Sequence, residues 1–350
     1  MGVLFVRKIW LALALACLGA SGCGLIRVKK PVAVPTLLEP RADADTPQLI
    51  AEVNRLAALR SVKAKVYFQF EDTSFAASGV ADKYSQADGT IYVQRPGQIY
   101  LAIQGPLSVK IAEMTSDGQT FRVAVYQGDP SLRNYVKGTN NVNYSAMVKA
   151  MSAKPMAQKS ALKDTKTVSV FSNLRPQHFT EALLLSPVKP RSETGYLYAQ
   201  SEVFEEEADT RPNAKKSARV VRGYYLLDEL AAKDDGSLQP VRRFWFDRVG
   251  GIRLARLQEF QPDGRIASDI TYEQPGAVSA DGAQLPTRME ITRPLDKYKL
   301  SFYYKEPLEV VLNKEYDPAI FVLDNKTNLT EIDLDKKLQE FLQKGTPPAL

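Results

Sequence analysis

The stretch GTIYVQRPGQIYLAI, residues 89–103, decides how the chain is read. Ile91 and Val93, and then Ile99, Leu101 and Ile103, alternate with polar or aromatic neighbours on either side of Arg95-Pro96-Gly97. Alternation with period two marks half-buried strands, and Pro-Gly between them marks a turn. Two antiparallel strands with one apolar face follow. Arg95 shares the parity of Ile91 and Val93, so it falls on that apolar face. An arginine there is either hydrogen-bonded, because unpaired burial is costly, or the strand ends at Pro96 and the side chain snorkels to water.

Working outward, the pattern repeats. Gly105-Pro106 precedes SVKIAEM (108–114) and Asp117-Gly118 precedes QTFRVAVY (119–126), which extends an antiparallel meander. Upstream, Val62, Ala64, Val66, Phe68 and Phe70 alternate with Lys63, Lys65, Tyr67 and Gln69 as another half-buried strand. Before it, Thr46 offers a helix cap and Pro47 a first helical residue, and Leu49, Ile50, Val53, Leu56 and Ala57 predict an amphipathic helix over 47–60. The pattern weakens between Gly128 and Lys166, where YSAMVKAMSA (144–153) suggests a short helix in an insertion. Pro176–Leu185 reads as a helix with a stripe of Phe179, Ala182, Leu183 and Leu184.

Strands resume at Tyr196 and, with EEEADTRPNAKKSAR (205–219) as an exposed hairpin loop, continue through VRRFWFDR (241–248), IRLARLQEF (252–260), IASDITYE (266–273), TRMEITRP (287–294) and YKLSFYYK (298–305). Thr330–Asp333 reads as a capping box before a closing helix marked by Leu334, Leu338, Phe341 and Leu342. The predicted class is mainly β with helices (α+β): a curved antiparallel sheet forming a half-open barrel with helices on its concave face. By parity, Val66, Phe68, Phe70, Ile91, Val93, Ile99, Leu101 and Ile103, with Phe244, Phe246, Met289 and Ile291 later in the chain, share the inner face. They either line a ligand cavity or pack as ordinary core against the helices.

The formal charge of +6 is concentrated at the start, because residues 1–30 hold Arg7, Lys8, Arg27, Lys29 and Lys30 and no acid. The remainder is nearly neutral with both signs interspersed, which argues against a nucleic-acid face. Arg7 and Lys8 precede the uncharged apolar run Ile9–Ala20 and the small residues Ala20-Ser21-Gly22, the parts of a secretory signal. Ala20-Ser21-Gly22-Cys23 resembles a bacterial lipobox, with Ala20 where that pattern prefers Leu. The resemblance implies that residues 1–22 are a lipoprotein signal peptide and that Cys23 is lipidated and anchors the chain to a membrane. An ordinary secretory signal, with Cys17 and Cys23 both discarded, is the alternative. Residues 23–45 form a tether containing Pro31, Pro35 and Pro40. Gly24 stands where an aspartate resembles an inner-membrane retention signal, so the expected location is the outer membrane, facing the periplasm.

Gly89, Arg95-Pro96 and Ser116-Asp117-Gly118 with the aromatic-rich strand after them resemble the LolA and LolB lipoprotein-carrier family. The resemblance covers most of 47–323, with elaborations near 127–180 and 199–220 and a helix and tail over 324–350. It implies a half-open barrel whose apolar interior takes up acyl chains or lipoproteins without covalent chemistry, and it places Arg95 where the family's arginine bonds the lid. A membrane-anchored member looks more like LolB. The alternative is an assembly lipoprotein that docks envelope proteins on the same curved sheet.

Catalytic signals are sparse. No cysteine follows Cys23, and His178 is the single histidine, so metal sites built on His and Cys and a Cys-His nucleophile are excluded from residues 24–350. There is no Gly-x-Ser-x-Gly elbow, phosphate loop or dinucleotide turn. His178 reads as a surface or capping residue, and the pairs Asp228-Glu229 and Asp234-Asp235 read as solvated turn carboxylates. No enzymatic activity and no cofactor are expected.

Overall fold

The computed structural model describes residues 34–73, 82–83, 86–128, 130, 133–144, 147, 175–215 and 217–343. Cys23, the leader and the tether to residue 33 lie outside the described residues, as do 148–174 of the expected insertion. The chain divides into two compact units, residues 1–37 with 206–221, and residues 38–205 with 222–350.

Strand β1 (Thr36–Leu37) belongs to the smaller unit, where it lies parallel to Val220–Val221. The loop expected over 205–219 is shorter than its composition suggests. Strand structure runs to Ala208 and resumes at Arg219, and the Asp209 amide donates to the Ala218 carbonyl at 2.9 Å across the turn. An ion pair between the two strands, Glu206 with Arg219 at 3.1 Å, helps so charged a segment to pair.

The larger unit begins with helix α1 (Thr46–Ala57). Its cap is Asp45 rather than Thr46: Asp45 Oδ1 accepts from the Gln48 amide and Gln48 Oε1 accepts from the Asp45 amide, each at 2.9 Å. The helix leads into β2 (Ser61–Asp72), followed by β3 (Asp82–Lys83), β4 (Ala87–Gln94), β5 (Gln98–Gln104), β6 (Lys110–Asp117), β7 (Thr120–Val125) and β8 (Asn134–Thr139). Helices α2 (Gln177–Leu183) and α3 (Arg191–Thr194) come next. In chain order there follow β9 (Leu197–Ala208) and β10 (Arg219–Ala232), whose residues 206–208 and 219–221 belong to the smaller unit, and then a meander of β11 (Leu238–Asp247), β12 (Arg253–Phe260), β13 (Ile266–Val278), β14 (Ala283–Arg293) and β15 (Tyr298–Tyr304). After these come β16 (Val311–Leu312), β17 (Thr330–Asp333) and helix α4 (Leu334–Gln343).

Strand β2 is the seam between the two meanders. It pairs antiparallel with β4 on one side, Val62 opposite Val93 and Ala64 opposite Ile91, and with β15 on the other, Phe68 opposite Phe302. The result is a large, curved, unclosed sheet in a mainly β protein. Strand β8 was not legible as a strand. Tyr135 and Val136 are both buried, so neither face shows polar alternation. Its outer edge is taken by β17, which runs parallel to it with Ile332 opposite Val136. Thr330–Asp333 is therefore a strand and not a capping box. Asp333 supplies the cap instead, accepting from the Lys336 amide at 2.9 Å.

The inner face of the sheet and the helices form one core. Leu49, Val53 and Leu56 of α1 and Phe179, Ala182 and Leu183 of α2 join the inward residues of β2, β4, β5, β11, β14 and β15 in a single buried cluster. The Phe179 ring lies 6.0 Å from Phe68 and 6.4 Å from Phe302, which wedges α2 against the seam strand and its neighbour.

Candidate functional site

Ten of the twelve inner-face residues expected from parity are buried: Val66, Phe68, Ile91, Val93, Ile99, Leu101, Phe244, Phe246, Met289 and Ile291. Phe70 and Ile103 are half-buried against the same cluster, and Phe70 stacks on Tyr298 at 5.8 Å. Residues of β12, β13 and β15 extend the face beyond those twelve, among them Leu257, Ile270 and Leu300. Between α1, α2 and the sheet remains a seam of about 20 Å³, lined mainly by apolar side chains that include Leu56, Leu59, Leu183, Leu185 and Met289. Beside it a wider, open pocket of about 440 Å³ runs along α1 from Glu52 to Leu56, against Leu254, Tyr272 and Leu285. Among the described residues, then, α2 packs closely on the concave face and α1 leaves an opening along one side.

How those helices are held is more informative. The guanidinium of Arg95 donates through Nε to the Leu59 carbonyl at 2.9 Å, and through Nη2 to the carbonyls of Ala57 at 2.9 Å and Leu185 at 2.7 Å. Ala57 and Leu59 stand at the C-terminal end of α1, where carbonyls lack helical partners and a cation meets the negative end of the helix dipole. Leu185 follows α2. One side chain thus ties a strand end to both helices. Burial without a carboxylate partner pulls the Arg95 pKa below its ordinary value.

Arg242 repeats the arrangement from β11. It donates through Nη1 to the Ser186 carbonyl at 2.8 Å and through Nη2 to the Pro187 carbonyl at 3.3 Å. Its charge is balanced by Glu229 of β10, whose Oε1 accepts from Nη2 at 3.0 Å. Glu229 is buried, so the expected solvated pair at 228–229 is corrected: the bulge in β10 after Glu229 lies within a strand, and Arg242 makes burial tolerable. Asn54 of α1 completes the set through both backbone groups of Val188. The carbonyls of 185–188 are consequently bound one after another by side chains from three different elements. Arg242 carries the same sequence signature as Arg95, sharing parity with Phe244 and Phe246.

His178 corrects a second expectation. It is buried, with Nδ1 against the Tyr298 hydroxyl, because α2 is enclosed on nearly every side and has no solvent face at that position. Burial, and then the charges of Arg293 and Arg175, drive its pKa well below the ordinary imidazole value. Glu181, also on α2, has its carboxyl pushed up to about 8 by burial and then by the neighbouring Glu259, against the opposing pull of Arg293. Burial likewise raises Glu259.

No family model and no curated protein sequence matches the chain. Its likenesses are structural. Solved structures similar to it include a DUF1329-family protein from Desulfovibrio piger, 12% identical with a TM-score of 0.39, over 81% of this chain and 97% of that one. A LolA-superfamily protein from Nitrosomonas europaea is likewise 12% identical with a TM-score of 0.39, over 81% and 99% of the two chains. A Vibrio parahaemolyticus domain named for outer membrane lipoprotein sorting is 9% identical with a TM-score of 0.38, over 80% and 96%.

Among the described residues no group of three or more His, Cys, Asp or Glu side chains is placed to hold a metal ion. No helix among them is long and apolar enough to cross a membrane.

Proposed function

We propose that the protein is a carrier or acceptor of acyl chains in the bacterial envelope, anchored to the outer membrane through Cys23 and facing the periplasm. Acyl chains, free or on lipoproteins, would replace the α2 segment over the inner face. The observation that carries this reading is the way 185–188 is held. Its carbonyls are bound by the side chains of Arg95, Arg242 and Asn54, which can let go without breaking a sheet ladder.

Burial of methylenes, at about 0.8 kcal/mol each, would drive uptake. Cargo would be held and passed on with no covalent step and no cofactor.

Uptake of a fluorescent fatty acid by the Cys23→Ala chain, purified without detergent, tests the reading. Saturable enhancement that is competed by palmitate is expected. A chain that takes up no probe and carries no lipid by mass spectrometry would refute it.

The alternative, a platform for envelope proteins, is favoured by β9. Over Leu197–Glu205 this strand borders the sheet with mostly exposed side chains, including Phe204 at 47% exposure.

A further inference from the structure

Arg95 also lines a second, open pocket of about 480 Å³, together with Arg60, Gln94, Asn313, Lys314 and Glu315. Three chain segments are knitted into its walls through their backbones. The Arg95 amide donates to the Arg60 carbonyl at 3.0 Å, the Asn313 amide to the Ser61 carbonyl at 2.9 Å, and the Ser61 hydroxyl to the Lys314 carbonyl at 2.5 Å. Asn313, in the left-handed region at φ 57°, accepts the Arg60 amide on Oδ1 at 2.9 Å. Gln94 Oε1 accepts the Tyr316 amide at 2.7 Å. None of these bonds uses the charged ends of Arg60 or Lys314.

The charges are left over. Among the described residues, Arg60, Arg95 and Lys314 make no ion pair; Arg95 binds only neutral carbonyls, and the Lys314 ammonium stands 6.0 Å from the Tyr316 ring. Three cations line a concavity whose one carboxylate is Glu315. An excess of one sign in a concave site focuses potential on the opposite sign, and guanidinium forks match phosphate oxygens.

The position of the pocket suggests what brings the anion. Leu59 and Leu185 line the apolar seam, Arg95 binds both of their carbonyls, and Arg60 is the residue after Leu59. A cationic pocket therefore abuts an apolar seam, with Arg95 at the junction. We propose that this pocket is an anion site that takes the phosphate of an amphiphile while its acyl chain enters beneath α2. The inference rests on the carrier reading for the tail and adds the chemistry of the head.

The test uses the full Cys23→Ala chain with three probes: dihexanoylphosphatidylglycerol below its micelle concentration, dihexanoylglycerol with the same tails, and inorganic phosphate. The phospholipid is expected to bind at least tenfold more tightly than dihexanoylglycerol, with an advantage that fades as salt is raised. Arg60→Gln with Lys314→Gln should abolish that advantage and leave dihexanoylglycerol binding intact, while Arg60→Lys with wild-type Lys314 should keep most of it. An unchanged melting temperature would show that the variants are folded. Equal binding of the two lipids, or insensitivity to the double substitution, overturns the anion site and leaves the carrier reading standing. Binding of inorganic phosphate that the double substitution removes, with no preference for the phospholipid, would assign the pocket to free phosphate and overturn the link to lipid. Binding of neither lipid defeats the carrier reading and this inference together.

Discussion

Asn54 grips Val188 on both of its backbone groups, donating from Nδ2 to the carbonyl at 3.1 Å and accepting the amide on Oδ1 at 2.9 Å. A side chain here does what a neighbouring strand would do. Asn54→Ala should cost about 1–3 kcal/mol, because it leaves both groups of a half-enclosed strap without partners. Hydrogen exchange at the Val188 amide should accelerate at least tenfold, while amides in β4 and β5 keep their protection. Equal acceleration across the sheet would mean that Asn54 supports the whole fold and not the strap.

Arg95 makes a sharper case, because one guanidinium reaches three carbonyls at the ends of two helices. Arg95→Lys keeps the charge but cannot span that fork. It should behave nearly like Arg95→Gln: faster exchange over 177–188, and a several-fold higher association rate for a fluorescent fatty acid measured by stopped flow. If lysine restores wild-type rates, charge rather than bridging is what Arg95 supplies.

Glu181 sets a pH dependence whose sign is fixed. Its carboxyl is pushed from the ordinary value of 4.5 up to about 8, so between those values the folded state holds a proton that the unfolded state has released. Stability from this group is complete below pH 4.5 and is lost as pH rises through about 8. Glu181→Gln should therefore raise the melting temperature at pH 8 by a few degrees and change it little at pH 4.5, as followed by circular dichroism. The opposite pull comes from His178, whose pKa is depressed, so its contribution is present above 6.5 and lost as pH falls. A wild-type-like pH profile for Glu181→Gln would remove Glu181 from the account.

The anchor is tested separately. With an ordinary cleavable secretory leader in place of residues 1–22, Cys23→Ala should shift the protein from the membrane pellet to the soluble fraction of the envelope. Retention in the pellet would mean that something other than lipidation at Cys23 holds it.

What could be read in advance follows from periodicity. Strands β2, β4 and β5 bury one face each, so alternation placed Val66, Ile91, Val93, Ile99 and Leu101 on the inner side, and it marked Arg95 as out of place there. Where both sides are covered the signal vanishes. Strand β8 lost it that way, and α2, with His178, Phe179, Thr180, Ala182 and Leu183 all buried, made its histidine look like a surface residue. The strap was invisible for a different reason. Its partners are backbone carbonyls, and a carbonyl leaves no trace in composition, so only the donors Arg95, Arg242 and Asn54 could have hinted at it.

The parallel pairing of β17 with β8 also has a temporal side. Asn134–Thr139 leaves the ribosome long before Thr330–Asp333, so a growing chain presents that rim of the sheet bare until Thr330–Asp333 arrives. Open strand rims invite pairing with other chains. A product cut short before Thr330 keeps most of its inner face and loses the strand that covers this rim.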